Sequence, residues 1–390
     1  GWLASRPLGP GAHELAVTAD AHDVTVEVWN RGPLIIPLAE DRSLVWTESA
    51  LLDDPTAVGL GRVLGTLAAD GHGGALFAAW LTRFSTTAHS ERAGPAVLLE
   101  ELRAAHGDDE RQWDLDTLPF IATAVHNRLD LRNDRSCGEL RISFASLHPV
   151  WRPLHLLFLF RQPPYDDDIS PGGTVHCHGT ARRWARLSTL EGDAFLAAAR
   201  QWLEDGLTEE RFLLAESEEL TVSPWEWRQW VLVEHTTDAE LPLRFENPAL
   251  FQTVDVARVN APGPLRQAFL SFVEQNAAVL DERRALLPEE FRPLSVRVNA
   301  GVPWIPLDLA GVDAEVLASF PKLRQHIEAV GCSGCHSTGE FVQTREDRSF
   351  SAFYEGELLA RRAHLDTLQH GALPGLPAFG PLQPNPPLTP

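Results

Sequence analysis

Methionine is absent from this 390-residue chain, and a single lysine, Lys322, stands among its 33 basic residues. The first absence leaves no thioether to ligate a metal. The second makes nearly every cation an arginine, a bias that fits a GC-rich coding sequence and carries no chemistry. No run of about 18 or more apolar residues occurs, so no segment reads as a membrane-spanning helix. Long polar tracts are missing too, and 44% hydrophobic residues with twelve tryptophans describe a folded protein with a large core. The length favours two or three domains. A net charge of −21 repels phosphate backbones and anionic bilayers, which argues against nucleic acid as a partner. There is no nucleophile elbow, phosphate loop, HExxH helix or paired-carboxylate signature, so hydrolase and kinase readings have no support. The glycines of GLGRVLGTLAADG (59–71) miss the dinucleotide spacing and read as turn or helix packing.

Periodicity gives an α+β fold, with a large mixed domain built on a central, mostly antiparallel sheet flanked by helices. Alternation in ELAVTADAHDVTVEVW and a short run at 43–46 predict early strands. GALFAAWLTRF, with Leu76, Trp80, Leu81 and Phe84 at helical spacing, predicts a core helix. LPFIATAVHNRLDL, GELRISFASL and PLHLLFLFRQ read as three strands of one sheet. The loop PPYDDDISPGG lacks the ligand pattern of a calcium site and reads as a solvated turn. STLEGDAFLAAARQWLEDGL reads as an amphipathic helix capped by Ser188 or Thr189, and SPWEWRQWVLVE as a strand whose Trp225, Trp227 and Trp230 pack the sheet. A helix follows from Pro264, with Leu265, Phe269, Phe272, Val273, Val279 and Leu280 in register. The expected organisation is an α+β domain over 1–291, a proline-punctuated connector over 292–311, a helical segment over 312–372 that opens with a helix to about Val330, and a proline-rich tail over 373–390.

GCSGCHSTGEF (331–341) carries the chemistry. Cys332-Ser-Gly-Cys335-His336 has the spacing for covalent c-type haem attachment, in which two thiols form thioethers with the porphyrin and the adjacent histidine supplies the proximal iron ligand. With a helix leading into it, the segment resembles the start of a c-type cytochrome domain over roughly the last 80 residues of the chain. That resemblance implies a small helical haem-binding segment and one covalent haem c, while the absence of methionine leaves the iron without the His/Met axial pair. His364 and His370, on the helix after the tether, are candidate distal ligands, with His326 before it. His176 and His178, flanking Cys177, are candidates from the large domain or for a separate metal site. Glu340, Arg345 and Arg348 are candidates for a distal base or charge stabiliser beside solvated-loop readings. Further along, HNRLDL, CGELRISF, HCHGTARRWARLS, PWEWRQW and CSGCH in this order resemble a family of exported bacterial proteins with a C-terminal haem-type motif. No activity comes with that resemblance; it implies export to the periplasm or the extracellular space. In such an oxidising compartment Cys137 and Cys177 are expected to pair, with two buried free thiols as the alternative.

Three functions follow from the sequence. One is an exported monohaem protein doing redox or ligand-binding chemistry on peroxide, oxygen or an organic substrate. Another is a bis-histidine electron-transfer module on a binding domain, its acidic surface steering a redox partner protein. The last is a secreted binding protein without haem, in which Cys332 and Cys335 form a disulfide or hold zinc.

Overall fold

In the computed structural model the described residues are all but 1–10, 20–21, 31–40, 69–70, 87–93, 134, 148–153, 220–224, 235–242, 251–253, 282–286, 299–305, 329–342 and 372–390. The fold is α+β. Strands β1 (Gly11–Ala19) and β2 (His22–Asn30) form an antiparallel hairpin. The remaining strands build one eight-stranded antiparallel sheet: β3 (Val45–Trp46), β4 (Phe120–Arg128), β5 (Glu139–Ser146), β6 (Leu154–Arg161), β7 (Phe212–Glu219), β8 (Trp225–Glu234), β9 (Leu243–Glu246) and β10 (Val296–Val298). The order runs β10-β8-β7-β6-β5-β4-β3, with β9 also on β8. The three expected central strands are β4, β5 and β6, paired in sequence order.

Alternation along β5 explains the two faces. Leu140, Ile142 and Phe144 enter the main core, while Glu139, Arg141 and Ser143 point the other way. The apolar face is covered by helices Leu60–Leu67, Gly73–Thr86, His178–Leu187 and Gly192–Gly206. Aromatics dominate that interface. Trp80 lies against Phe84, Phe158, Trp230 and Phe245, and Trp46 against Trp184 and Phe195. The expected packing role is that of Trp230; Trp227 projects from the opposite face and stays partly exposed. A second, smaller core gathers Phe269, Val273, Leu280, Phe291, Leu307, Leu323 and Ile327.

Several boundaries differ from the periodic reading, each for a local reason. The helix expected from Val312 is two short ones, Ala314–Ser319 and Leu323–Glu328, because Pro321 cannot continue the first. The helix from Pro264 stops at Gln275 and resumes over Ala277–Asp281, with Asn276 at φ −115° departing from helical geometry between them. Ser188 caps nothing ahead of it: it is the C-terminal boundary of His178–Leu187, and the next helix begins after Glu191 without a side-chain cap. The DDD turn is only partly solvated. Asp168 is fully buried and accepts hydrogen bonds from Thr180 N (2.8 Å), Thr180 Oγ1 (2.5 Å) and Tyr165 N (3.0 Å), binding the loop to a helix.

Candidate functional site

Cys137 and Cys177, both fully buried, form a disulfide that ties the turn before β5 to the start of helix His178–Leu187. Gly138 beside it sits at φ +82°, where an added Cβ would lie 2.1 Å from the Arg128 carbonyl oxygen, so only glycine lets β5 begin there.

The second face of the sheet is where charge has been buried. The long helix Ala352–Gln369, capped by the Ser351 side chain, lays Tyr354, Glu357 and Arg361 against β4 and the turn after it. Arg128 holds Asp130 through two hydrogen bonds of 3.0 and 2.9 Å and reaches Glu357 at 3.3 Å. Arg361 pairs with the same Glu357 oxygen at 2.7 Å, and Arg141 pairs with Glu139 at 2.7 Å. Three guanidiniums thus face three carboxylates, all nearly solvent-free, and the group is electrically neutral. Despite the desolvation that opposes it, the flanking arginines hold Glu357 down at about 2.

A hydrogen-bond chain crosses this neutral block. Arg361 Nη1 donates to Tyr354 Oη (3.3 Å), Tyr354 Oη lies 2.5 Å from His126 Nδ1, and His126 Nε2 lies 3.0 Å from Ser143 Oγ. The arrangement that satisfies every atom has Tyr354 donating to Nδ1 and the Nε2–H donating to Ser143, which donates on to the Ala124 carbonyl (3.2 Å). Burial and three neighbouring arginines keep His126 well below its ordinary pKa and so uncharged, and burial pushes Tyr354 up to about 12. Thr344, just after the CSGCH stretch, joins the same block through Thr123 (2.9 Å) and Ser143 (3.3 Å).

Two rows further along the pleat lie His155 and Glu218. On this face Ala145 stands opposite His155, His155 opposite Glu218, and Glu218 opposite Trp227. His155 is 2% exposed, and Glu218 is partly exposed. Burial, reinforced by the neighbouring Glu216 charge and opposed by Arg141, pushes Glu218 up to about 8. Burial pulls His155 down to about 4 against the opposing pull of Glu346. Glu216, also raised by burial, is hydrogen-bonded by Gln229 at 3.2 Å.

The residues singled out from the sequence fall in different places. Cys332, Cys335, His336 and Glu340 lie outside the described residues, as does the side chain of His326. His364 is buried on helix Ala352–Gln369, its Nε2 without a partner among the described residues, and burial lowers it to about 4. His370 at the end of that helix is exposed, its Nδ1 2.6 Å from the Asp366 carbonyl oxygen. The rings of His176 and His178 lie 4.1 Å apart, and the His178 N–H donates to His176 Nδ1 at 3.3 Å. Among the described residues no group of three or more His, Cys, Asp or Glu side chains is arranged to hold a metal ion. Arg348 braces the fold through the Ala122 carbonyl oxygen (3.2 Å), Ser49 Oγ (2.7 Å) and an ion pair with Asp53, and Arg345 reaches Ser349 Oγ (3.2 Å) and the Phe350 carbonyl (3.1 Å). No helix among the described residues is long and apolar enough to cross a membrane. Comparison with known proteins finds no matching family model, no matching curated protein and no matching solved structure.

Periodicity missed the polar face, since the strands around it read as apolar segments. The signal was the alternation itself: Glu139, Arg141 and Ser143 in ELRISFAS, and Glu216 and Glu218 in FLLAESEE, repeat with period two on one face.

Proposed function

We propose that this chain is an exported c-type haem protein, with Cys332 and Cys335 holding one haem covalently, His336 as the axial imidazole, and redox or ligand-binding chemistry at an iron without a methionine ligand. The carrying observation is the division of the cysteines. The chain has four; Cys137 and Cys177 are joined to each other in the core, so the CSGCH pair are the two cysteines not used by that bond. Two thiols and the next imidazole are the donor set that c-type attachment needs. The core disulfide also accords with an oxidising compartment, periplasmic or extracellular.

Bound there, the haem would supply one-electron transfer and coordination of a small ligand at iron. The chain around it would hold and shield it. His336 stands seven residues before Gln343, which is hydrogen-bonded to Glu357 on the polar face. That face is a rigid backing, since Thr344, Arg348 and Ser351 each fasten the segment to the sheet or to the long helix. A second reading, the bis-histidine electron carrier serving a redox partner protein, is favoured by His364, whose buried neutral imidazole keeps Nε2 without a partner among the described residues.

The deciding measurement is the intact mass of protein made with the haem-attachment machinery, together with its visible spectrum. One added haem and a reduced pyridine adduct of the thioether type are expected. A mass equal to the polypeptide overturns the proposal in favour of a Cys332–Cys335 disulfide or zinc site. With haem attached, low-spin bands in both oxidation states support the bis-histidine carrier, and a high-spin ferric band that shifts with cyanide supports an open or weakly ligated iron.

A further inference from the structure

A cavity of about 240 Å³ at the edge of the main core is not used by the haem reading. It lies where the short helices Ser49–Leu52 and Pro55–Val58 and the start of helix Leu60–Leu67 meet the first residues of β4. Val58, Leu60, Leu115 and Phe144 form its floor, each 3% exposed or less, and Phe120 and Ile121 are half-buried walls. Asp53, Pro55 and Asp116 are exposed and make its rim. An apolar hollow with a few polar groups at its mouth is the usual form of a small-molecule site.

The two rim carboxylates differ in what already meets them. Asp53 is ion-paired with Arg348, which also donates to Ser49 Oγ (2.7 Å) and to the Ala122 carbonyl oxygen (3.2 Å), so its charge is matched. Asp116 has no ion pair among the described residues and accepts the Gly61 N–H at 2.9 Å. The sequence GLG makes room for it there, since a Cβ on Gly59 would lie 2.3 Å from Asp116 Oδ1. Burial and the nearby Asp114 charge raise its pKa against that single hydrogen bond. The unmatched charge sets the sign of the ligand, and the hollow sets its size. A cavity of about 150 Å³ lined by Leu, Ile and Phe holds benzene, so 240 Å³ takes one aromatic ring with a short arm, roughly nine heavy atoms. A ring would pack against Phe144 and Phe120, and a cationic nitrogen on the arm would meet the Asp116 carboxylate. We propose that this cavity binds a small arylalkylamine as its ammonium ion, with the ring inward and the nitrogen at Asp116.

The test is isothermal titration of the full chain at pH 7 with 2-phenylethylammonium chloride, beside 2-phenylethanol as the probe of the same shape without the charge and ethylammonium chloride as the probe without the ring. Saturable binding of 2-phenylethylammonium is expected. The alcohol should bind about fivefold more weakly, the upper end for an ion pair at a partly open rim, and ethylammonium at least about tenfold more weakly for want of a ring to bury. Asp116→Asn keeps an acceptor for the Gly61 N–H and should bring 2-phenylethylammonium to the affinity of the alcohol while leaving the alcohol unchanged. Ile121→Trp fills the hollow from its wall and should weaken both aromatic probes about tenfold or more. Thermal melts show whether each variant is folded, and the comparison of the two aromatic probes on the unmodified chain decides the role of charge without either variant. No saturable binding of 2-phenylethylammonium, equal affinity for the two aromatic probes, or a folded Asp116→Asn chain that keeps the full preference for the ammonium overturns the proposal. The titration is read without any haem signal, so its outcome is separate from that of the mass measurement.

Discussion

Replacing Glu357 by glutamine tests the claim that the charged block under the long helix is held by mutual neutralisation. The carboxylate touches Arg361 at 2.7 Å and Arg128 at 3.3 Å with 6% of the side chain exposed. Its pKa falls from 4.5 to about 2 on folding, which is worth about 3 kcal/mol at pH 7 at roughly 1.36 kcal/mol per unit. The group is depressed in the folded state, so its contribution is present above the unfolded pKa and is lost as pH falls through the folded one. At pH 3 about 1.4 kcal/mol should remain. The amide removes that term and leaves two arginines sharing Asp130 alone, so the total cost should be about 3–5 kcal/mol. Urea unfolding followed by tryptophan fluorescence, at pH 7 and again at pH 3, should show a large gap between the two proteins at pH 7 that narrows by about half or more at pH 3. A gap under about 1 kcal/mol at pH 7, or one that does not change with pH, would refute the reasoning.

Two further outcomes follow from the same geometry. Reducing the Cys137–Cys177 bond, or replacing both cysteines by serine, opens a loop of sequence separation 40, and loop entropy alone predicts a loss of about 4 kcal/mol in chemical denaturation, with no change in any haem spectrum. Tyr354→Phe removes the hydroxyl between Arg361 and His126, leaving a buried ring nitrogen without its donor; a stability loss of about 1–3 kcal/mol is expected, and a neutral result would show that the chain of hydrogen bonds is not needed.

The fold class and the central strands were legible because periodicity reports burial, and the apolar face of β4, β5 and β6 is the part of the molecule that burial dictates. The disulfide was legible only through the inference of an oxidising compartment, since nothing in a 40-residue spacing says that Cys137 and Cys177 meet. Helix boundaries failed where one residue decides them, at Pro321 and Asn276. What periodicity could not expose was the second face. A carboxylate and an arginine two residues apart on a strand look like a solvated edge until something covers them, and the covering elements come from residues 343–369, more than 200 positions later.

That long-range cover also ties residues 343–351 to the sheet. A helix normally buries an apolar stripe. Helix Ala352–Gln369 buries Leu358, Leu365 and Leu368 against the main core, yet spends Tyr354, Glu357 and Arg361 on satisfying charges that β4 and β5 bring with them. Apolar packing alone would tolerate a slipped helix. Two arginines converging on one carboxylate, and one hydroxyl fitted between a guanidinium and an imidazole, do not. The buried ions therefore fix the register of the helix, while Ser351 and Thr344 fasten the segment that leads into it.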